Sequence, residues 1–195
     1  MEFSMNKKDL ILASATKVFA EKGFLNASIT EIASAAGVGD ATIYSFFRNK
    51  EDLLFEIPYN AFVSFLNGAL SHLKGLKSPE EKLRKYIWHH IAYYENNKDY
   101  TKIYITELSR NSRFYKTKSY QLLKKYSQIV IDILQEGMQA GLFKTNINPY
   151  LIRNFIFGSI DNLALSWVLL NKPQSIIEQS DGLTNIVLEA ILVDK

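Results

Sequence analysis

The sequence predicts an all-α fold, and three observations carry the prediction. Apolar residues recur at helical spacing along the whole chain, period-2 alternation is almost absent, and capping residues mark successive helix starts. Ile11, Ala15, Val18 and Phe19 hold the i, i+4, i+7, i+8 positions of one buried helical face, which Gly23 ends. Ser28-Ile29-Thr30-Glu31 is a capping box opening a second helix of about two turns, closed by Gly37. A third short helix spans about Asp40 to Phe47: Gly37-Val38-Gly39 turns the chain, and Asp40 suits the positive helix N-terminus. Asn49 and Asp52 cap a fourth, from Glu51 to about Gly75, and Pro58 in its interior should bend it. Ser78-Pro79-Glu80-Glu81 opens a fifth that runs to about Asn97. Tyr100 to Asn111 sets Thr101, Ile103 and Ile105 in alternation, yet has no second strand to pair with, so it reads as helix. Ser112 to Ala140 reads as one long helix stopped by Gly141. Asn148-Pro149 starts an eighth that ends near Asn171-Lys172-Pro173, and Ser175 to Val193 is the ninth.

The 195 residues suffice for one or two domains with a sizeable core, and 47% apolar with 22% charged residues is an ordinary globular composition. The chain lacks cysteine, which excludes disulfide frameworks, zinc ribbons, iron-sulfur clusters and thiol nucleophiles. A cytoplasmic location is the expectation. The net charge of +3 does not by itself name an anionic partner. The apolar run Leu10 to Ala13 is cut short by Lys17, Glu21 and Lys22, unlike a secretion signal. The window Tyr150 to Leu170 is interrupted by Arg153, Asn154, Asp161 and Asn162, so a buried helix is expected there and no membrane partner. Short helices give way to long ones near residue 50, which divides the chain into 1–50 and 51–195.

Two short helices joined by a glycine turn and packed on a first helix make a helix-turn-helix, whose second member enters the DNA major groove. Ile32, Val38, Ile43 and Phe47 can form its core with Val18 and Phe19, which leaves Thr42, Tyr44 and Ser45 outside to bond phosphates or base edges. Gly23-Phe24 and then SITEIASAAGVGDATIYSFFRNKEDLL, from Ser28 to Leu54, resemble the N-terminal domain of the TetR family of bacterial transcription repressors. The resemblance implies a homodimer with two heads reading a double-stranded DNA operator, and a helical C-terminal domain that binds an inducer. It places Ser28, Thr42, Tyr44 and Lys50 at phosphates, and Thr30, Asp40, Ala41 and Ser45 toward bases. Three positions depart from the family pattern: Phe46 for a His or Tyr, Gly39 for a Ser cap, and the acidic Asp40 for a Lys, Gln or Arg. Asp40 could accept a bond from a cytosine amino group, or serve only as a helix N-terminal charge. Residues 1–50 carry a net +1, so strong non-specific DNA affinity is not expected.

In the C-terminal half, LSRNSRFYKTKSYQLLKKYSQIVIDILQEGMQAGLFK and IFGSIDNLALSWVLLN are similar to the fatty-acid-degradation repressors of the same family, released from DNA by long-chain acyl-coenzyme A. The effector so implied is a small apolar molecule such as an acyl-CoA. Tyr94, Tyr104 and Tyr126 fall on apolar faces with a hydroxyl to satisfy, His90 lies one turn before Tyr94, and Phe62, Phe65 and Leu66 on the fourth helix can touch the pocket. They can line an apolar pocket with few polar points, or be ordinary core. Asp161 reads as ligand polarity or as a hydrogen-bonded core acid. The basic run Arg110, Arg113, Lys116, Lys118, Lys124 and Lys125 could meet coenzyme A phosphates or form a solvated helix face. For the dimer, the eighth helix offers Ile160 and Trp167 and the ninth Leu183, Ile186, Val187 and Ile191, enough for a four-helix bundle with a mate.

His89 and His90 are adjacent, point about 100° apart, and have no ligand four residues away on the same face, so no metal is expected. No nucleophile elbow, phosphate loop or paired-histidine motif is present, which argues against an enzyme, and no cofactor is implied. The competing reading is a DNA-independent helical sensor of a lipid-like ligand, which DNA retardation distinguishes from a repressor.

Overall fold

The structure, a computed structural model, describes residues 6–193. Among these, nine α-helices follow in order: α1 Lys7–Asn26, α2 Ile29–Ala36, α3 Asp40–Phe46, α4 Lys50–Leu73, α5 Pro79–Asn96, α6 Lys98–Ile103, α7 Lys118–Gln139, α8 Pro149–Leu169 and α9 Ser180–Ile191. The capped starts lie where local chemistry puts them. Ser28 and Glu31 form the reciprocal box, Ser78 accepts from the Glu81 N–H, and Asn148 accepts from Tyr150 with Pro149 inside the first turn. Gly37 takes φ 66°, and the Gly37 and Val38 amides close the last turn of α2.

Two expectations are corrected. Gly23 kinks α1 without ending it: its φ of 76° and ψ of 160° interrupt the helix, which resumes to Asn26. Pro58 lies inside α4, whose helical backbone is continuous from Lys50 to Leu73. The long helix read from Ser112 begins only at Lys118, because Thr117 is extended (φ −86°, ψ 160°) and its hydroxyl accepts from the Tyr120 N–H; a short 3-10 turn, Phe114–Lys116, precedes it. The ambiguous segment is helical, as α6 followed by a π-helical turn, Tyr104–Leu108.

The chain forms two compact units. The first comprises the described residues up to Phe62 together with Asp99–Tyr120. Ile11, Ala15, Phe19, Ile32, Ala33, Ile43 and Leu53 are its buried core, and the returning segment docks through Phe62 edge-on to Tyr100 and Tyr104, at 6.0 and 5.8 Å between ring centres. The second comprises Val63–Lys98 and the described residues from Gln121 onward, and α4 belongs to both units. Leu83, Tyr86, Ile87, Ile91, Val130, Leu134, Ile156 and Ile160 fill the second core. Glu95 anchors the α8–α9 connection, accepting from the Ser175 hydroxyl and the Ile176 and Ile177 amides at 2.9, 2.7 and 3.1 Å. Gly137 lets Phe143 lie against α7, since a Cβ there would stand 2.0 Å from the ring.

Candidate functional site

In the first unit, α3 stands on a small apolar base. Ile43 is buried, Phe47 closes the last turn, and Gly39 begins the helix without a side-chain cap. Ala41, Tyr44 and Ser45 are exposed, and Thr42 is half-buried. Tyr44 is 56% exposed, so its hydroxyl is available to a partner molecule. The Ser45 hydroxyl donates to the Thr42 carbonyl at 2.7 Å, and Thr30 donates to the Asp40 carboxylate at 2.7 Å, tying the first turn of α2 to that of α3. The Thr30 bond therefore occupies one face of Asp40, whose charge stands at the start of α3. Ser28 is exposed, and its hydroxyl accepts from the Glu31 amide at 3.2 Å. Glu31 in turn pairs with Lys22, and this pairing, with the Ser28 bonds, lowers its carboxyl to about 2.

Lys50, expected at a phosphate, meets backbone carbonyls in the structure. Its Nζ donates to the carbonyls of Phe24, Leu25 and Ala27 at 2.6, 3.3 and 2.8 Å, and lies 4.6 Å from the centre of the Phe24 ring. A lysine ammonium has three N–H groups, and these three carbonyls use them all. The side chain thus caps the end of α1 from the first turn of α4, satisfying oxygens that no helical amide can reach. Nearby, Glu107 accepts from the Phe24 amide at 3.3 Å and Arg113 pairs with Glu51, so the π turn and its neighbour hold the same corner.

The expected effector residues fall into two groups. Phe62 and Tyr104 belong to the first unit and pack there with Tyr100 and Phe114. His90, Tyr94 and Tyr126 come together in the second unit, and Leu66 is half-buried in α4 of that unit. Around the His90 ring, Tyr94, Phe157, Phe65 and Tyr126 lie at 4.7, 5.0, 5.1 and 5.3 Å between centres. Phe65 joins this cluster as expected, and Tyr86 and Phe157, which the expected set omits, complete it; Tyr86 stacks on Tyr126 at 4.7 Å. Both His90 ring nitrogens are buried without a hydrogen-bond partner, as is the Tyr126 hydroxyl. Burial, with a smaller contribution from His89, lowers His90 to about 3, so the ring is neutral. The Tyr94 hydroxyl donates to Asp161 at 2.9 Å, and burial raises that carboxyl to about 6 against the pull of this bond.

The expected dimer residues differ in their exposure within the single chain. Ile160, Trp167, Leu183, Val187 and Ile191 are all buried within the single chain, and only Ile186, 57% exposed, faces outward. The periodicity of α8 and α9 serves their own core first. Between them runs an open groove of about 710 Å³, lined by Phe155, Gly158, Asn162, Leu163, Gly182 and Ile186 among others. Phe155, Leu151 and Tyr150 are exposed along the same helix. The described residues contain no group of three metal-ligating side chains and no helix long and apolar enough to cross a membrane.

Comparison with known proteins finds two family models. Residues 11–57 match the bacterial regulatory proteins of the tetR family, and residues 58–190 match the YsiA-like protein C-terminal region. The fatty acid metabolism regulator protein of Bacillus subtilis is 29% identical over 181 residues, covering 93% of each chain. The crystal structure of the transcriptional regulator FadR from Bacillus subtilis, in complex with stearoyl-CoA, superposes with a TM-score of 0.84 at 30% identity, covering 93% of this chain and 98% of that one. The fatty acid degradation regulator FadR from Bacillus halodurans gives 0.81 at 29% identity, covering 92% and 97%.

Proposed function

Since the chain belongs to the TetR family of bacterial regulatory proteins and is a DNA-binding transcriptional regulator, we propose that a long-chain fatty acyl-coenzyme A is its effector and releases it from its operator. The observation that carries this reading is the likeness, over more than nine-tenths of this chain, to a regulator held with stearoyl-CoA. The second unit supports it with an aromatic cluster that contains buried, unsatisfied polar atoms, the composition of an apolar site with few polar points.

The head reads DNA through the exposed surface of α3, where Tyr44 reaches a phosphate and Ala41 and Ser45 meet base edges. Ser28 presents a hydroxyl at the positive N-terminus of α2. Two heads act together in a homodimer, and the α8–α9 groove with Phe155 and Ile186 receives the second copy. α4 carries the signal: Phe65 contacts the aromatic cluster, while Lys50, at the other end of the same helix, caps α1. An acyl chain that displaces Phe65 binds better to the DNA-free state, and by linkage DNA weakens acyl-CoA binding by the same factor.

The test is a titration of fluorescent DNA from the protein's own upstream region. Palmitoyl-CoA is expected to release the DNA, octanoyl-CoA to act more weakly, and free coenzyme A to have no effect. Release by none of them, or release independent of chain length, overturns the effector and leaves the DNA-binding role standing. Failure to bind DNA at all favours the sensor that acts without it.

A further inference from the structure

The buried imidazole of His90 is a costly polar group in the second unit. It is 1% exposed, and neither ring nitrogen has a partner. A neutral imidazole has one N–H donor and one lone-pair acceptor, and leaving either unmade in an apolar interior is unfavourable. Of the rings around it, Phe65 and Phe157 have no polar atom to offer, the Tyr94 hydroxyl donates to Asp161, and the Tyr126 hydroxyl makes no hydrogen bond to it. Geometry supplies a second fact. His90 and Tyr94 are one turn apart on α5, and Phe157 and Asp161 are one turn apart on α8. They meet as two successive rungs: His90 with Phe157 at 5.0 Å between ring centres, then Tyr94 with Asp161 through a 2.9 Å hydrogen bond.

We propose that His90 donates its ring N–H to the uncharged carbonyl oxygen of the bound acyl thioester, and that Asp161 makes this site reject a carboxylate. The inference rests on the acyl-coenzyme A reading and deepens it: the protein recognises the activated acyl group and discriminates against the free acid. The rings of Phe65, Tyr126 and Phe157 part to admit the chain, and the thioester oxygen accepts from the imidazole N–H, giving the buried donor its partner. A neutral ring offers one hydrogen bond, sufficient for a carbonyl, and no positive charge to hold an anion. Asp161 follows Phe157 by about one turn of α8, a helical pitch of about 5.4 Å. A ligand carboxylate at His90 would face it across a poorly solvated interior, where like charges repel strongly.

Two pairs of probes test this by equilibrium binding to the full chain. Palmitoyl-CoA and S-hexadecyl-CoA have chains of equal carbon number, but the thioether lacks the carbonyl. The wild type is expected to prefer the thioester by about tenfold, the worth of one buried hydrogen bond. His90→Phe should bring the two within about a factor of two, and His90→Gln should restore part of the preference. For the second pair, laurate and methyl laurate, Asp161→Asn should shift the affinity ratio toward laurate by at least about tenfold. Equal wild-type affinity for thioester and thioether overturns the His90 assignment while the effector stands, and this needs no variant. An unchanged laurate ratio in Asp161→Asn overturns the role of Asp161. Failure of both coenzyme A compounds to bind overturns the effector and this assignment with it.

Discussion

Replacing Lys50 by Met removes the ammonium while keeping the aliphatic stem, and it separates two roles for one residue. In the structure three carbonyls converge on Nζ, those of Phe24, Leu25 and Ala27, at 2.6 to 3.3 Å. Charge-assisted hydrogen bonds are worth about 1.5–3 kcal/mol net, and the contact with the Phe24 ring adds about 0.5 kcal/mol at a partly exposed site. Water can reach some of these oxygens in the variant, since Lys50 is half-buried, so the loss is set at about 2 kcal/mol. For a chain of 195 residues that corresponds to a fall in Tm of about 4–8 °C. The assay pairs thermal melting followed by circular dichroism with operator affinity measured across a salt series. Lys50→Met is expected to lower the Tm and to leave the slope of log affinity against log salt unchanged, because an ammonium spent on carbonyls neutralises no phosphate. An unchanged Tm together with a slope smaller by about one would refute the capping role and return Lys50 to the DNA backbone.

Tyr44→Phe should weaken operator binding by about 0.5–1.5 kcal/mol without altering the Tm, as the hydroxyl is exposed; equal affinity in retardation assays removes it from the interface. Phe155→Glu with Ile186→Glu should leave folded, helical monomers in sedimentation, because both side chains are exposed in the single chain and lie in the α8–α9 groove; a persisting dimer places the interface elsewhere. Asp161 predicts a pH dependence. Burial raises its carboxyl from 3.8 to about 6, so the native state holds the proton more tightly than the unfolded one. The stability this contributes is complete below about pH 4 and lost as pH rises through about 6. Asp161→Asn should therefore gain about 1–2 kcal/mol over the wild type at pH 7.5 and flatten the stability profile between these limits; denaturant melts across pH that show no difference would refute the buried charge.

What the sequence determined by itself was local. Ser28, Ser78 and Asn148 each cap a helix through an amide two or three residues away, and Gly37 takes a backbone conformation few other residues tolerate, so their pattern is visible before any folding. The head and its exposed hydroxyls followed from that local order, and with them the family. The tertiary structure decided what depends on partners distant in sequence. Leu183 and Ile186 are three residues apart on one apolar helix, yet one is 8% and the other 57% exposed, because only packing against the rest of the second unit chooses the buried face. Lys50 looked like any basic residue near DNA until the fold brought three carbonyls, 23 to 26 positions away, onto its ammonium. His90 and Asp161 were legible only as polar residues among apolar ones. Their placement on adjacent rungs of α5 and α8, one unsatisfied and the other charged and largely withdrawn from water, is a property of how two helices meet.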